Sequence, residues 1–109
     1  MPTLRKVLGQ VAPAATTDTT LYTVPASTST VASSLVVANR GVVGGFFRVA
    51  VRPAGAALAP QHYLYYDVEI PANDTFIATI GLTLAAADVV TVRSTVATVS
   101  FNLFGEEVS

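Results

Sequence analysis

Residues 35–52, LVVANRGVVGGFFRVAVR, set two apolar runs on either side of a connection that carries Gly41, Gly44 and Gly45. Runs rich in β-branched and aromatic residues and bounded by glycine read as strands, and two of them around a short connection read as a β-hairpin. In the second run Phe47, Val49 and Val51 share one face, while Phe46, Arg48, Ala50 and Arg52 share the other, because successive side chains on a strand point to opposite sides. One face is core and the other can be wet. A lone hairpin is marginal in water, so further strands and a facing sheet are needed to cover the apolar side.

Working outward, the first arm extends from Thr30 to Asn39, with Val31, Leu35 and Val37 on one face and Ala32, Val36 and Ala38 on the other. Downstream, PAGAALAPQ at 53–61 holds too few residues between Pro53 and Pro60 for a helix and reads as a loop. HYLYYDVEIP alternates clearly, which predicts Leu64, Tyr66, Val68 and Ile70 inward and Tyr63, Tyr65, Asp67 and Glu69 outward. TFIATIGLTL follows with Phe76, Ala78, Ile80 and Leu82 on the core side. VVTVR at 89–93 turns Val90 and Val92 inward, and ATVSFNLFG at 97–105 turns in Val99, Phe101 and Leu103. Upstream, LYTVP is a short strand stopped by Pro25, which has no N–H for a ladder. Residues 1–12 read as an N-terminal arm or edge strand with Leu4, Val7 and Val11 as apolar contacts, and residues 13–109 read as a single domain. About eight strands at this spacing predict an all-β fold, an antiparallel β-sandwich of jelly-roll or Ig-like type, without α-helix.

The composition narrows the function classes. Only 12% of the 109 residues are charged while 51% are hydrophobic, against roughly 25% charged in ordinary soluble domains. Such a surface favours burial between copies in an assembly, and predicts a homo-oligomer. No apolar stretch approaches the roughly 18 residues of a membrane helix, so no membrane partner is expected. The net charge of −1 leaves no positive excess to attract phosphates, which argues against nucleic acid. With no cysteine and one histidine, thiol chemistry and most zinc sites are ruled out. The N-terminus lacks the apolar segment of a secretory signal, so synthesis in a cytoplasm is expected.

Asp67 and Glu69 share a strand face and can present paired carboxylates, but a calcium ion takes six or more oxygens, so a solvated face is the better reading and no metal or cofactor is expected. His62 stands without a serine or acid at triad spacing, and no catalytic residues and no enzymatic activity are predicted. Tyr63 and Tyr65, projecting together, suit either a subunit interface or stacking on a sugar, and interface is preferred because tyrosine joins a large apolar ring to a polar tip. Arg48 and Arg52 can clamp carboxylates in two-pronged fashion, with Asp67 and Glu69 in reach if residues 46–52 and 62–70 pair across the 53–61 loop. Leu4, Arg5, Lys6, Val7 and Val11 complete the candidate interface: the arm would add to a partner as a strand, with Arg5 and Lys6 steering it to an acidic surface.

The phrases KVLGQVAP (6–13), LYTVPA (21–26), SSLVVANR (33–40), FRVAVRPAGAALA (47–59), HYLYYDV (62–68) and SFNLFGEE (100–107) together resemble small all-β virion structural proteins of tailed bacteriophages. The resemblance covers nearly the whole chain. It implies a non-catalytic part of the virion, assembled in the host cytoplasm: first a capsid decoration or cement protein, trimeric as such proteins often are, that binds the major capsid protein and stabilises the shell; alternatively a tail, neck or fibre component that binds tail proteins. From a different class, a carbohydrate-binding β-sandwich using Tyr63 and Tyr65 is the remaining expectation.

Overall fold

The computed structural model describes residues 2–109; Met1, the first residue of the expected arm, lies outside them. Eight strands follow one another: β1 (Thr3–Val11), β2 (Thr19–Thr23), β3 (Ser29–Asn39), β4 (Gly45–Arg52), β5 (Tyr63–Ile70), β6 (Thr75–Leu84), β7 (Val89–Ser94) and β8 (Val99–Val108). The β4–β5 loop contains two 3₁₀ turns, Pro53–Gly55 and Pro60–His62. The strands form two four-stranded antiparallel sheets, β1-β8-β3-β6 (the first sheet) and β2-β7-β4-β5 (the second sheet). The first strand pairs with the last, the second with the seventh, the third with the sixth and the fourth with the fifth. A chain doubled back on itself and rolled up in this way is a jelly roll. In an Ig-like sandwich more of the consecutive strands would be neighbours.

This topology corrects the hairpin expected over residues 35–52. β3 and β4 lie in different sheets, and the one pair of consecutive strands that are neighbours is β4–β5, across residues 53–62. Asn39 is the physical reason. Its side chain is buried at the end of β3, where Nδ2 donates to the carbonyls of Val43 (2.9 Å) and Ile70 (3.3 Å), and Oδ1 accepts from the Gly41 N–H and the Thr98 hydroxyl, both at 2.9 Å. These bonds hold residues 40–44 as an arch from one sheet to the other.

The core fills the space between the sheets. Leu35, Val37, Phe47, Val49, Val92, Phe101 and Leu103 are buried as expected, and Val51, Phe76 and Ile80 pack against them partly buried. The Phe47 ring sits among three others, at 5.2 Å from Phe76, 6.1 Å from Phe101 and 6.2 Å from Tyr65, centroid to centroid.

Three irregularities, two on β5 and one on β3, overturn the remaining face assignments. Between the pairs Phe47–Val68 and Val49–Tyr65, two residues of β5 (Tyr66 and Asp67) oppose one of β4 (Arg48), and Asp67 adopts the left-handed φ of 52°. Such a bulge reverses which side chains point inward. Tyr65 therefore enters the core beside Phe47 and Phe76, whereas Tyr66, expected inside, is exposed. A second shift, between the pairs Val49–Tyr65 and Ala50–Tyr63, leaves Leu64, also expected inside, without a counterpart and exposed, and sets Tyr63 on the outer face with Tyr66. On β3 the extra residue is Ser33, against no counterpart on β8 between Gly105 and Phe104. Thr30 and Ala32 are thereby buried and Val31 is turned outward.

Candidate functional site

β1 occupies one rim of the first sheet, paired with β8 from Thr3–Val108 to Val11–Phe101. It is an edge strand of the domain and not a free arm. Leu8, in a bulge between Val7 and Gly9, is buried, and Val11 packs against the core. Burying an aliphatic side chain such as Leu8 contributes roughly 1.5–3 kcal/mol, which holds the strand on its own sheet. Gly9 permits this closure, because a Cβ there would lie 2.1 Å from the Leu21 carbonyl oxygen of β2. Leu4 and Val7 remain 59% and 45% exposed. Arg5 and Lys6, expected to steer the arm to an acidic partner, pair instead within the chain: Arg5 Nε lies 3.4 Å from Glu106 and Lys6 Nζ 3.3 Å from Glu107, both on β8.

Behind this rim lies a polar cluster that the sequence reading did not single out. Tyr22 is buried and donates its hydroxyl proton to Glu107 Oε2 at 2.5 Å, while its oxygen lies 2.7 Å from Thr30 Oγ1. Burial first, then the bond to Glu107, pushes the Tyr22 phenol up to about 12. The Tyr22 hydrogen bond first, then Lys6, holds the Glu107 carboxyl below the usual carboxylate range. Strand alternation did carry a signal for Glu107: it falls two and four residues beyond Gly105 and Leu103, on the inward parity of β8. Among the described residues every buried side-chain nitrogen and oxygen has a partner.

The second surface is the outer face of the second sheet. Arg48 on β4 reaches Asp67 on β5 with two contacts, Nε–Oδ1 at 2.7 Å and Nη2–Oδ2 at 3.3 Å. That hydrogen bonding holds the Asp67 carboxyl below its ordinary range. The same guanidinium lies 4.1 Å from the centroid of the Tyr66 ring and 5.9 Å from that of Tyr63, and the two rings meet edge to face at 4.9 Å and 85°. The outward aromatic pair is thus Tyr63 with Tyr66, not Tyr63 with Tyr65. Arg93 stands opposite Arg48 on β7, with Nη1 3.7 Å from Asp18. Arg52 finds no carboxylate; Nε donates to the Thr91 hydroxyl at 3.0 Å and Nη1 to the Ala56 carbonyl at 3.0 Å, pinning the 3₁₀ turn. Glu69 is exposed, opposite Phe46. His62 accepts the Ala59 N–H at Nδ1, 3.1 Å away, closing the second 3₁₀ turn.

Among the described residues no group of three or more histidine, aspartate and glutamate side chains is gathered for a metal ion. The arrangement instead offers two distinct contact surfaces: an aliphatic rim with an unpaired strand edge, and an aromatic, arginine-bearing sheet face. No protein-family model matches the chain, and no curated protein matches it in sequence.

Proposed function

We propose that this jelly roll is a structural part of a tailed-phage particle, a capsid decoration or cement protein that binds the shell through protein–protein contacts and acts as a homo-oligomer, with three copies at each site. The β1 rim carries this reading. Its outer edge has no partner strand, Leu4 and Val7 are exposed on it, and the nearby charges of Arg5 and Lys6 are already engaged by Glu106 and Glu107. An unpaired edge flanked by aliphatic side chains accepts an added strand from another protein, whose main-chain bonds give affinity and whose side chains fill the alternate pockets. The scarcity of charge, 12% of residues, fits a surface largely covered by neighbours.

Because Leu8 is part of the core, deleting residues 2–11 would unfold the first sheet, so point variants at exposed positions are the suitable test. Particles are purified and the copies of this chain counted by quantitative mass spectrometry, for the natural sequence and for Leu4→Asp and Val7→Asp. Hundreds of copies per particle, falling sharply in both variants, are expected. A handful of copies would favour a tail, neck or fibre part, and none would overturn the reading.

A further inference from the structure

The outer face of the second sheet combines features that the rim lacks, and the geometry points to a saccharide-binding groove between Asp18 and the β5 tyrosines Tyr63 and Tyr66, with Arg48 against Tyr66 and Arg93 against Asp18 at its margins, independent of the shell contact proposed above. Tyr63 and Tyr66 line a groove of about 730 Å³ together with Asp18 and residues 58–60. Asp18 lies beside β2 at one rim of the sheet and Tyr66 on β5 at the other. Three strand spacings separate those rims, about 14 Å, so an oligosaccharide and not a single ring fills the length.

Three observations select that ligand. Tyr66 is 57% exposed yet its ring is held in place, perpendicular to Tyr63 at 4.9 Å and with Arg48 stacked over one face at 4.1 Å. Arg48 is itself anchored in two-pronged fashion on Asp67. A fixed ring offers a flat apolar platform with little entropy left to lose on binding. Second, the charges cancel locally: Arg48 pairs with Asp67 and Arg93 with Asp18. An anion meets guanidinium groups already engaged, and a cation meets engaged carboxylates. Third, hydrogen-bonding capacity is left over, since a guanidinium has five N–H donors and a carboxylate about four acceptor sites. A ligand without net charge that has an apolar face and closely spaced hydroxyls, each able to donate and accept, matches all three. A neutral pyranose chain has this chemistry.

The test uses the full chain on a printed array of neutral oligosaccharides of glucose, galactose, mannose and rhamnose, followed by NMR titration with the strongest hit. Binding to at least one oligosaccharide is expected, weakened at least tenfold by Tyr66→Ala, retained in Tyr66→Phe and unchanged in Val7→Asp. Tyr66 is exposed, so its variants should fold, and the NMR spectrum of each reports that directly. Absence of binding to the whole array, or binding indifferent to Tyr66→Ala, would overturn the proposal. So would an oligomer detected by light scattering that dissolves on Tyr66→Ala, which would make this face a contact between copies. Copy number on particles with Val7→Asp addresses the shell contact separately, so either proposal can fail without the other.

Discussion

On the first sheet the outward charges lie along the rim, where Arg5 meets Glu106 through a single contact at 3.4 Å and with its side chain 89% exposed. On the second sheet Arg48 reaches from the middle strand β4 to the edge strand β5, where it grips Asp67 with two contacts and stacks on Tyr66. The two faces come from the same alternating strand pattern. They differ because β5 carries a bulge at Asp67 that turns Tyr66 out beside Arg48, whereas on β8 the alternation runs unbroken from Phe101 through Leu103 and Gly105 to Glu107 and buries the carboxylate behind the rim. Irregularity on β5 thus makes an aromatic platform of one face, and the unbroken alternation of β8 brings Glu107 to the buried polar anchor of the other.

The largest expected effect falls on what both faces share. Phe47 is fully buried among Tyr65, Phe76 and Phe101, so Phe47→Ala should cost about 3–5 kcal/mol in chemical denaturation, through lost burial and the cavity left behind. A loss under about 1 kcal/mol would mean that the sheets do not rest on one core.

Next comes the pH dependence of the anchor behind the rim. The folded Tyr22 phenol titrates near 12 and an unfolded one near 10. Above pH 10 the unfolded chain releases a proton that the folded chain keeps, so stability falls between pH 10 and 12, by about 3 kcal/mol. Glu107, whose folded titration is depressed by Tyr22 and then Lys6, works at the other end. Its contribution is fully present above the ordinary carboxylate range and is lost as pH falls through the folded value. Thermal melts across pH should show both limbs, and Tyr22→Phe should flatten the alkaline one; an unchanged alkaline limb would exclude Tyr22 as its source.

Glu107→Gln removes the charge while keeping the shape. It should cost roughly 1.5–3 kcal/mol, the worth of a hydrogen bond to a charged group, and should bring the Tyr22 titration, followed by its ultraviolet absorbance, back toward the ordinary range. A tyrosine titration that does not move would show that Glu107 is not its partner.

How much of this was legible follows from the same residues. Strand number and the apolar alternation of β4, β7 and β8 could be read from the sequence, because each depends on a period of two that is locally unbroken; the Arg48–Asp67 pair could be read because β4 and β5 are neighbours across a short loop, and it forms although Asp67 sits in a bulge. The irregularities at Ser33, Leu64 and Asp67 could not, since none of these residues is a glycine or proline to mark the break, and each reverses the faces of its neighbours. The hairpin reading over residues 35–52 failed for a related reason. Gly41, Gly44 and Gly45 permit a turn, but it is the long-range bonds of Asn39 to Ile70 and Thr98 that carry the chain to the other sheet, and partners 31 and 59 residues away leave no local mark. Jelly-roll and Ig-like sandwiches share strand spacing and differ in pairing, so only the topology separates them.

The smallest effects test the contrast between the faces most directly, by double-mutant cycles on the two exposed ion pairs. Arg5→Ala should change stability by less than about 0.5 kcal/mol, because a single long contact between mobile, solvated side chains gains little over water. Its coupling to Glu106→Gln should vanish when salt is raised to 1 M, where the screening length shrinks to about 3 Å. Arg48→Ala with Asp67→Asn should show the larger coupling of the two, and part of it should survive the salt. Two parallel contacts fix the guanidinium plane, and the face of Tyr66 at 4.1 Å shields one side of it from solvent and adds an attraction of its own. Replacing Tyr66 by alanine should then lower the Arg48–Asp67 coupling while leaving that of Arg5 with Glu106 untouched. Equal couplings for the two pairs, or a Tyr66→Ala change that reaches neither, would mean that Arg48 is as loosely held as Arg5, and that the second sheet has no rigid ring to offer a ligand.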